Sequence, residues 1–146
     1  MNAETDGGGA YGIESAYAWR RLVAALAIST IGGVGMWSYI VTLPAVQADF
    51  GVDRAAASLP YTFAMLGFGG GGVLMGRLAD RYGIALPLTI GALALGAGYI
   101  AAGLSASLWQ VALAHGFLIG FGTSATFGPL MADISHWFMR RRGIAV

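Results

Sequence analysis

The chain has 146 residues, of which 57% are hydrophobic and only 10% charged, whereas a soluble domain averages about 25% charged residues. So few charges cannot clothe a water-facing surface, so the first partner of this chain is a lipid bilayer. The net charge of +1 gives no basic face for nucleic acid. The absence of cysteine excludes disulfides, thiolate metal sites and a cysteine nucleophile.

Residues 1–18 carry Glu4, Asp6, Glu14 and a Gly7-Gly8-Gly9 run, the composition of a short, flexible, exposed tail. They lack the positive start and apolar core of a secretory signal, and the apolar stretch after Arg20-Arg21 is longer than a signal core of roughly 7–15 residues. Beyond the tail, charges divide the chain. Residues 22–48, 55–76 and 82–132 contain no Asp, Glu, Lys or Arg. A spanning helix needs about 20 apolar residues. The first two stretches therefore hold one helix each, and the third holds two, divided at Ser105-Ala106-Ser107. The expected spans are about 22–44, 56–77, 84–104 and 109–132, with a fifth starting at about 143. The fold class is thus an all-α membrane protein with four transmembrane helices. Pro44 falls near the end of the first span, Pro60 and Pro87 in the opening turns of the second and third, and Pro129 near the end of the fourth.

Every basic residue is an arginine. With the N-terminus in the cytoplasm, Arg20, Arg21, Arg77, Arg81, Arg140, Arg141 and Arg142 all face inward and only Arg54 faces out, a strong positive-inside bias. The second span holds Gly67, Gly69 to Gly72 and Gly76, and the fourth holds Gly116 and Gly120. Small residues four apart let helices pack closely in lipid, either statically or as smooth faces that slide.

The loop after the second span reads Gly76-Arg77-Leu78-Ala79-Asp80-Arg81-Tyr82-Gly83. It resembles the G-x-L-A-D-R-x-G motif of the major facilitator superfamily, between that family's second and third helices. The two basic residues that continue the family pattern are replaced here by Ile84 and Ala85. The resemblance implies a partial N-terminal half of a major facilitator fold. It also implies a gating role for Gly76, Leu78, Ala79, Asp80, Arg81 and Gly83, which would brace this half against a C-terminal half. Asp80 is expected to accept bonds from helix-end N–H groups and to pair with Arg81.

Gly116 to Gly122, and Trp137-Phe138-Met139 followed by the basic loop Arg140-Arg141-Arg142, are similar to the monocarboxylate-transporter and oxalate/formate-antiporter branch. That branch implies secondary transport of a small organic anion, such as a monocarboxylate, as a symporter or antiporter by alternating access. It would act in the cell (inner) membrane, with the missing C-terminal half as a partner and protons as one candidate coupling ion. The branch's helix-one acid is absent, since Ile31 stands in its place.

His115 is the one titratable group well inside a span, which makes it a candidate for proton coupling or substrate binding. The alternative is a plain bond to a neighbouring carbonyl. Trp37 and Tyr39 lie in the helix that lines the cavity in this superfamily, and either contact substrate or only pack. Thr123, Ser124 and Thr126 either polarise the fourth span or bond back to its backbone.

Nothing indicates an enzyme, a cofactor or a metal: there is no HExxH pattern, and the Gly69–Gly72 run is followed by no Gly-Lys-Ser/Thr. Other readings are a major facilitator of a different substrate class, a truncated non-transporting membrane protein, or a small four-helix exporter. The last needs a glutamate inside its first helix, whereas Glu14 precedes Arg20.

Overall fold

The computed structural model describes residues 15–137. The expected basic loop Arg140–Arg142, the start of a fifth helix at about 143 and most of the expected tail lie outside that range. The described residues are helical and contain no strand.

The first helix, α1, runs Ala16–Phe50. It starts earlier than the expected span because the Ser15 side chain accepts the Ala18 N–H and caps it, so residues 16–18 belong to the helix and not to a tail. It also continues past residue 44, with Pro44 inside it, and stops at Gly51, whose left-handed φ of 59° only glycine adopts freely. Its 35 residues reach roughly 52 Å at 1.5 Å per residue. That exceeds a hydrocarbon core of about 30 Å, so the helix projects from it.

A short helix that the sequence did not signal, α2 (Arg54–Ala57), follows, capped by Asp53 accepting from the Ala56 N–H at 2.7 Å. Helix α3 (Leu59–Tyr82) begins with Pro60 in its first turn and ends at Gly83, φ 81°. Helix α4 covers Ala85–Gly103. Helix α5 (Leu108–Ala114) is capped by Ser107 from the expected Ser105–Ser107 break.

The fourth long helix, Leu108–His136, is not the uniform rod that the sequence suggests. After α5 the backbone widens into a π-helical segment, His115–Gly120, then resumes as α6 (Phe121–Ser124). At Ala125–Phe127 it tightens, with N–H groups bonding three residues back: Ala125 to Gly122, Thr126 to Thr123 and Phe127 to Ser124. Pro129 explains the change, because it has no N–H for the Ala125 carbonyl. Helix α7 (Gly128–Trp137) completes the rod.

Ala16–Phe50, Ala85–Gly103 and Leu108–His136 are each long and apolar enough to cross a membrane. Helix α3 has the length, at 24 residues, but its glycines contribute no apolar side chain. The fourth rod is the centre of the bundle, with α3 on one side and α4 on the other. A side chain at Gly67 would collide with the Gly116 carbonyl, and one at Gly120 with the Ala64 carbonyl. Gly72 and Gly76, the other expected small-residue pair, face open space. Helix α1 lies across the same rod. Side chains at Gly32 and Gly35 would overlap Thr126 and Thr123. Below this contact, Ala18, Leu22 and Ala25 of α1 pack with Leu130 and Ile134 of α7.

Candidate functional site

Gly83 terminates α3 with its N–H on the Ala79 carbonyl at 2.9 Å. This turn exposes Asp80 and Arg81. The Arg81 guanidinium lies 5.4 Å above the Tyr82 ring, and the expected Asp80–Arg81 pair is not among the ion pairs of the described residues. Asp80 makes no hydrogen bond or ion pair among the described residues, and it borders a groove of about 440 Å³. Gly76, Ala79 and Gly83 share that groove with Gly128, Pro129 and Ala132 of α7. Its α3 wall is small because glycine and alanine recur every third or fourth residue there, while Asp133 and His136 of α7 also line it.

An ion pair that sequence reasoning missed closes the same end. Arg21 of α1 donates to Asp133 of α7 at 2.6 Å, with 29% and 22% of the two side chains exposed. The two residues lie 112 positions apart, so no local spacing links them. Both nevertheless sit where a charged helix end meets a long apolar stretch.

The structure separates Trp37 from Tyr39 and His115. Trp37 is 63% exposed, whereas Tyr39 and His115 are 2% and 5% exposed. Two residues along a helix turn a side chain by about 200°, so Trp37 and Tyr39 take opposite faces. The Tyr39 hydroxyl donates to the Ala57 carbonyl at 2.6 Å and pins α2 against α1. Its ring meets the His115 ring at 4.7 Å and 71°, an edge-to-face contact. Nδ1 of His115 lies 2.9 Å from the Val111 carbonyl. That carbonyl can only accept, so Nδ1 donates, which in the uncharged ring leaves Nε2 as an acceptor.

Both rings line a pocket of about 390 Å³ between α1, α4 and α5, together with Ser38, Thr42, Asp49 and Tyr99. Sequence reading had singled out only the two ring residues. Ser38 and Tyr99 lie 61 residues apart and touch at 2.7 Å, a pairing without any local pattern. The polar run on the fourth rod mostly bonds backward: Ser124 to the Phe121 carbonyl at 2.6 Å and Thr126 to the Thr123 carbonyl at 2.8 Å. Among the described residues, Thr123 alone keeps a buried side-chain hydroxyl without a partner. Among the described residues no cluster of His, Asp and Glu has the makings of a metal site.

Residues 25–146 match the Major Facilitator Superfamily profile. The chain is also similar to the MFS-type transporter pynF of Aspergillus niger, with 34% identity over 76 residues. That stretch is 52% of this chain and 18% of that relative, so the chain matches under a fifth of its relative's length. The matches point to a transporter rather than an enzyme. A profile match over most of the chain, long apolar helices and the Gly76–Gly83 motif, which forms the last turns and cap of α3 and not the expected loop, converge. This multi-pass membrane protein belongs to the major facilitator superfamily.

Proposed function

We propose that this chain forms part of the N-terminal half of a secondary transporter that carries a small organic anion, such as a monocarboxylate, by alternating access. The observation that carries the reading is the exposed Asp80, unpaired among the described residues, on a groove whose α3 side is built of glycine and alanine, in the last turn of the helix that carries the family's motif. A carboxylate without a partner of its own is free to take one from an opposing half, and a smooth groove accepts a helix closely. Transporters of this kind bind substrate near the midplane between two halves, so the activity belongs to the assembled pair. The N-terminus and the Gly76–Gly83 loop are proposed to be cytoplasmic, on the arginine asymmetry. Arg140–Arg142 would extend the cytoplasmic basic surface. His115 is proposed to couple protons, because it shares a pocket with the exposed Asp49. The monocarboxylate class rests on the resemblance of residues 116–122 and 137–145 alone.

Uptake of a radiolabelled monocarboxylate by the full-length transporter in liposomes tests the reading. Saturable uptake is expected, and it should fall at least about tenfold in Asp80→Asn at equal insertion, because a brace between halves biases a conformational equilibrium rather than helix formation. Unchanged uptake in the variant would reduce the loop to a structural turn. Uptake of other solutes but not of the monocarboxylate would discard the substrate class and keep the transporter.

A further inference from the structure

The pocket between α1, α4 and α5 has a one-sided hydrogen-bonding character. The Tyr99 hydroxyl donates to the Val34 carbonyl at 3.1 Å, so the Ser38 hydroxyl, 2.7 Å away, donates to Tyr99. Thr42 donates to the Tyr39 carbonyl at 3.1 Å. Ser105 donates to the Ala101 carbonyl at 2.7 Å. Tyr39 is spent on Ala57 at 2.6 Å, and the Nδ1 proton of His115 on Val111 at 2.9 Å. The backbone follows suit at the rim, where the Leu104 and Ser105 N–H groups bond the Ile100 and Ala102 carbonyls at 3.1 and 3.3 Å. Every side-chain donor lining the pocket is therefore engaged inside the protein. The lone pairs of Ser38, Thr42, Ser105 and Tyr99, the Nε2 of His115 and the Asp49 carboxylate remain.

We propose that this pocket is a binding site for a small organic cation, a protonated primary amine. Such a ligand brings donors and a positive charge to a site that offers acceptors and a negative charge. Tyr99 and Phe50 also line it, and aromatic faces attract cations. The volume of about 390 Å³ lies within the roughly 300–1,000 Å³ of ordinary small-molecule sites. Asp49 and Phe50 end α1, while Ala102 and Gly103 end α4 and Ser105 lies just beyond it, so the mouth opens at one face of the bundle and His115 forms the floor. The site shares His115 with the proton coupling proposed above but is not a seat for the anion: an organic carboxylate would bring acceptors to acceptors and meet Asp49 as a like charge.

Isothermal titration of the purified full-length protein in neutral-lipid nanodiscs, with benzylammonium and with benzoate, tests this. The two probes match in size and differ in charge. Benzylammonium is expected to bind saturably and benzoate not at all. Asp49→Asn should weaken benzylammonium roughly tenfold, about the worth of one charge-assisted hydrogen bond. Asp49 makes no hydrogen bond among the described residues, so this variant should retain its fold, which thermal unfolding checks. Ala102→Leu, which fills the pocket from α4, should abolish binding while leaving Asp49 in place. Equal binding of both probes, affinity unchanged in both variants, or no saturable benzylammonium binding would overturn the proposal.

Discussion

His115 and Tyr39 are buried, in ring contact, and each hydrogen-bonded to a backbone carbonyl. Burial of a hydroxyl or a ring nitrogen in a low-dielectric interior is costly unless each donor finds an acceptor. Here both do, the hydroxyl on Ala57 and Nδ1 on Val111. What distinguishes His115 from a merely packed histidine is the remaining nitrogen, which belongs to a ring lining the Asp49 pocket. His115→Gln retains hydrogen-bonding capacity but does not titrate near neutral pH. If the histidine couples protons, the variant should flatten the pH dependence of uptake by the full-length transporter and lower uptake driven by an imposed pH gradient several-fold. A wild-type pH profile would remove His115 from coupling and favour anion exchange.

At the scale of the elements, glycine placement decides how the helices meet. On α3, Gly67 and Gly71 face the fourth rod, whereas Gly69, Gly70 and Gly72 meet nothing within 4 Å. The same residue type thus has opposite roles on two faces of one helix. Gly67→Ala would press a methyl into the Gly116 backbone, which cannot yield as a flexible side chain can. It should destabilise the bundle by about 1–3 kcal/mol. Gly69→Ala meets no obstacle and should be neutral or slightly stabilising, since alanine is preferred over glycine in helices by up to about 1 kcal/mol. Thermal unfolding in detergent, followed by helicity, compares the two; equal shifts would mean that the close approach at Gly67 does not limit stability. The π-helical segment that carries Gly116 and Gly120 belongs to the same contact. A π turn inside an α-helix is uncommon and often marks a functional position. In this chain it begins at the pocket-lining His115.

For the whole molecule, the arginine asymmetry makes a prediction that the helix packing does not. Because the chain has no cysteine, single cysteines report orientation without background. Asp80→Cys should resist an impermeant thiol reagent applied to intact cells, and Asp53→Cys should react with it. The reverse pattern would invert the topology and place the Asp49 pocket on the cytoplasmic side.

The sequence alone determined that this is a helical membrane protein, because the charge-free stretches 22–48, 55–76 and 82–132 leave no soluble alternative. It also carried the family, through a motif read along one continuous stretch of chain, Gly76–Gly83. Those features are local in the chain, so composition and spacing expose them. Only tertiary structure decided which polar residues share a site. Arg21 with Asp133, Ser38 with Tyr99 and Tyr39 with Ala57 are pairs made by helix crossing, and no periodicity within a helix encodes its neighbour's register. The same holds for Trp37, grouped with Tyr39 by proximity in sequence and sent to the opposite face by the turn of the helix. The direction of each hydrogen bond was hidden too. Serine, threonine and tyrosine can each donate or accept, and only the carbonyls they reach in the packed bundle consume their protons and leave a pocket of acceptors.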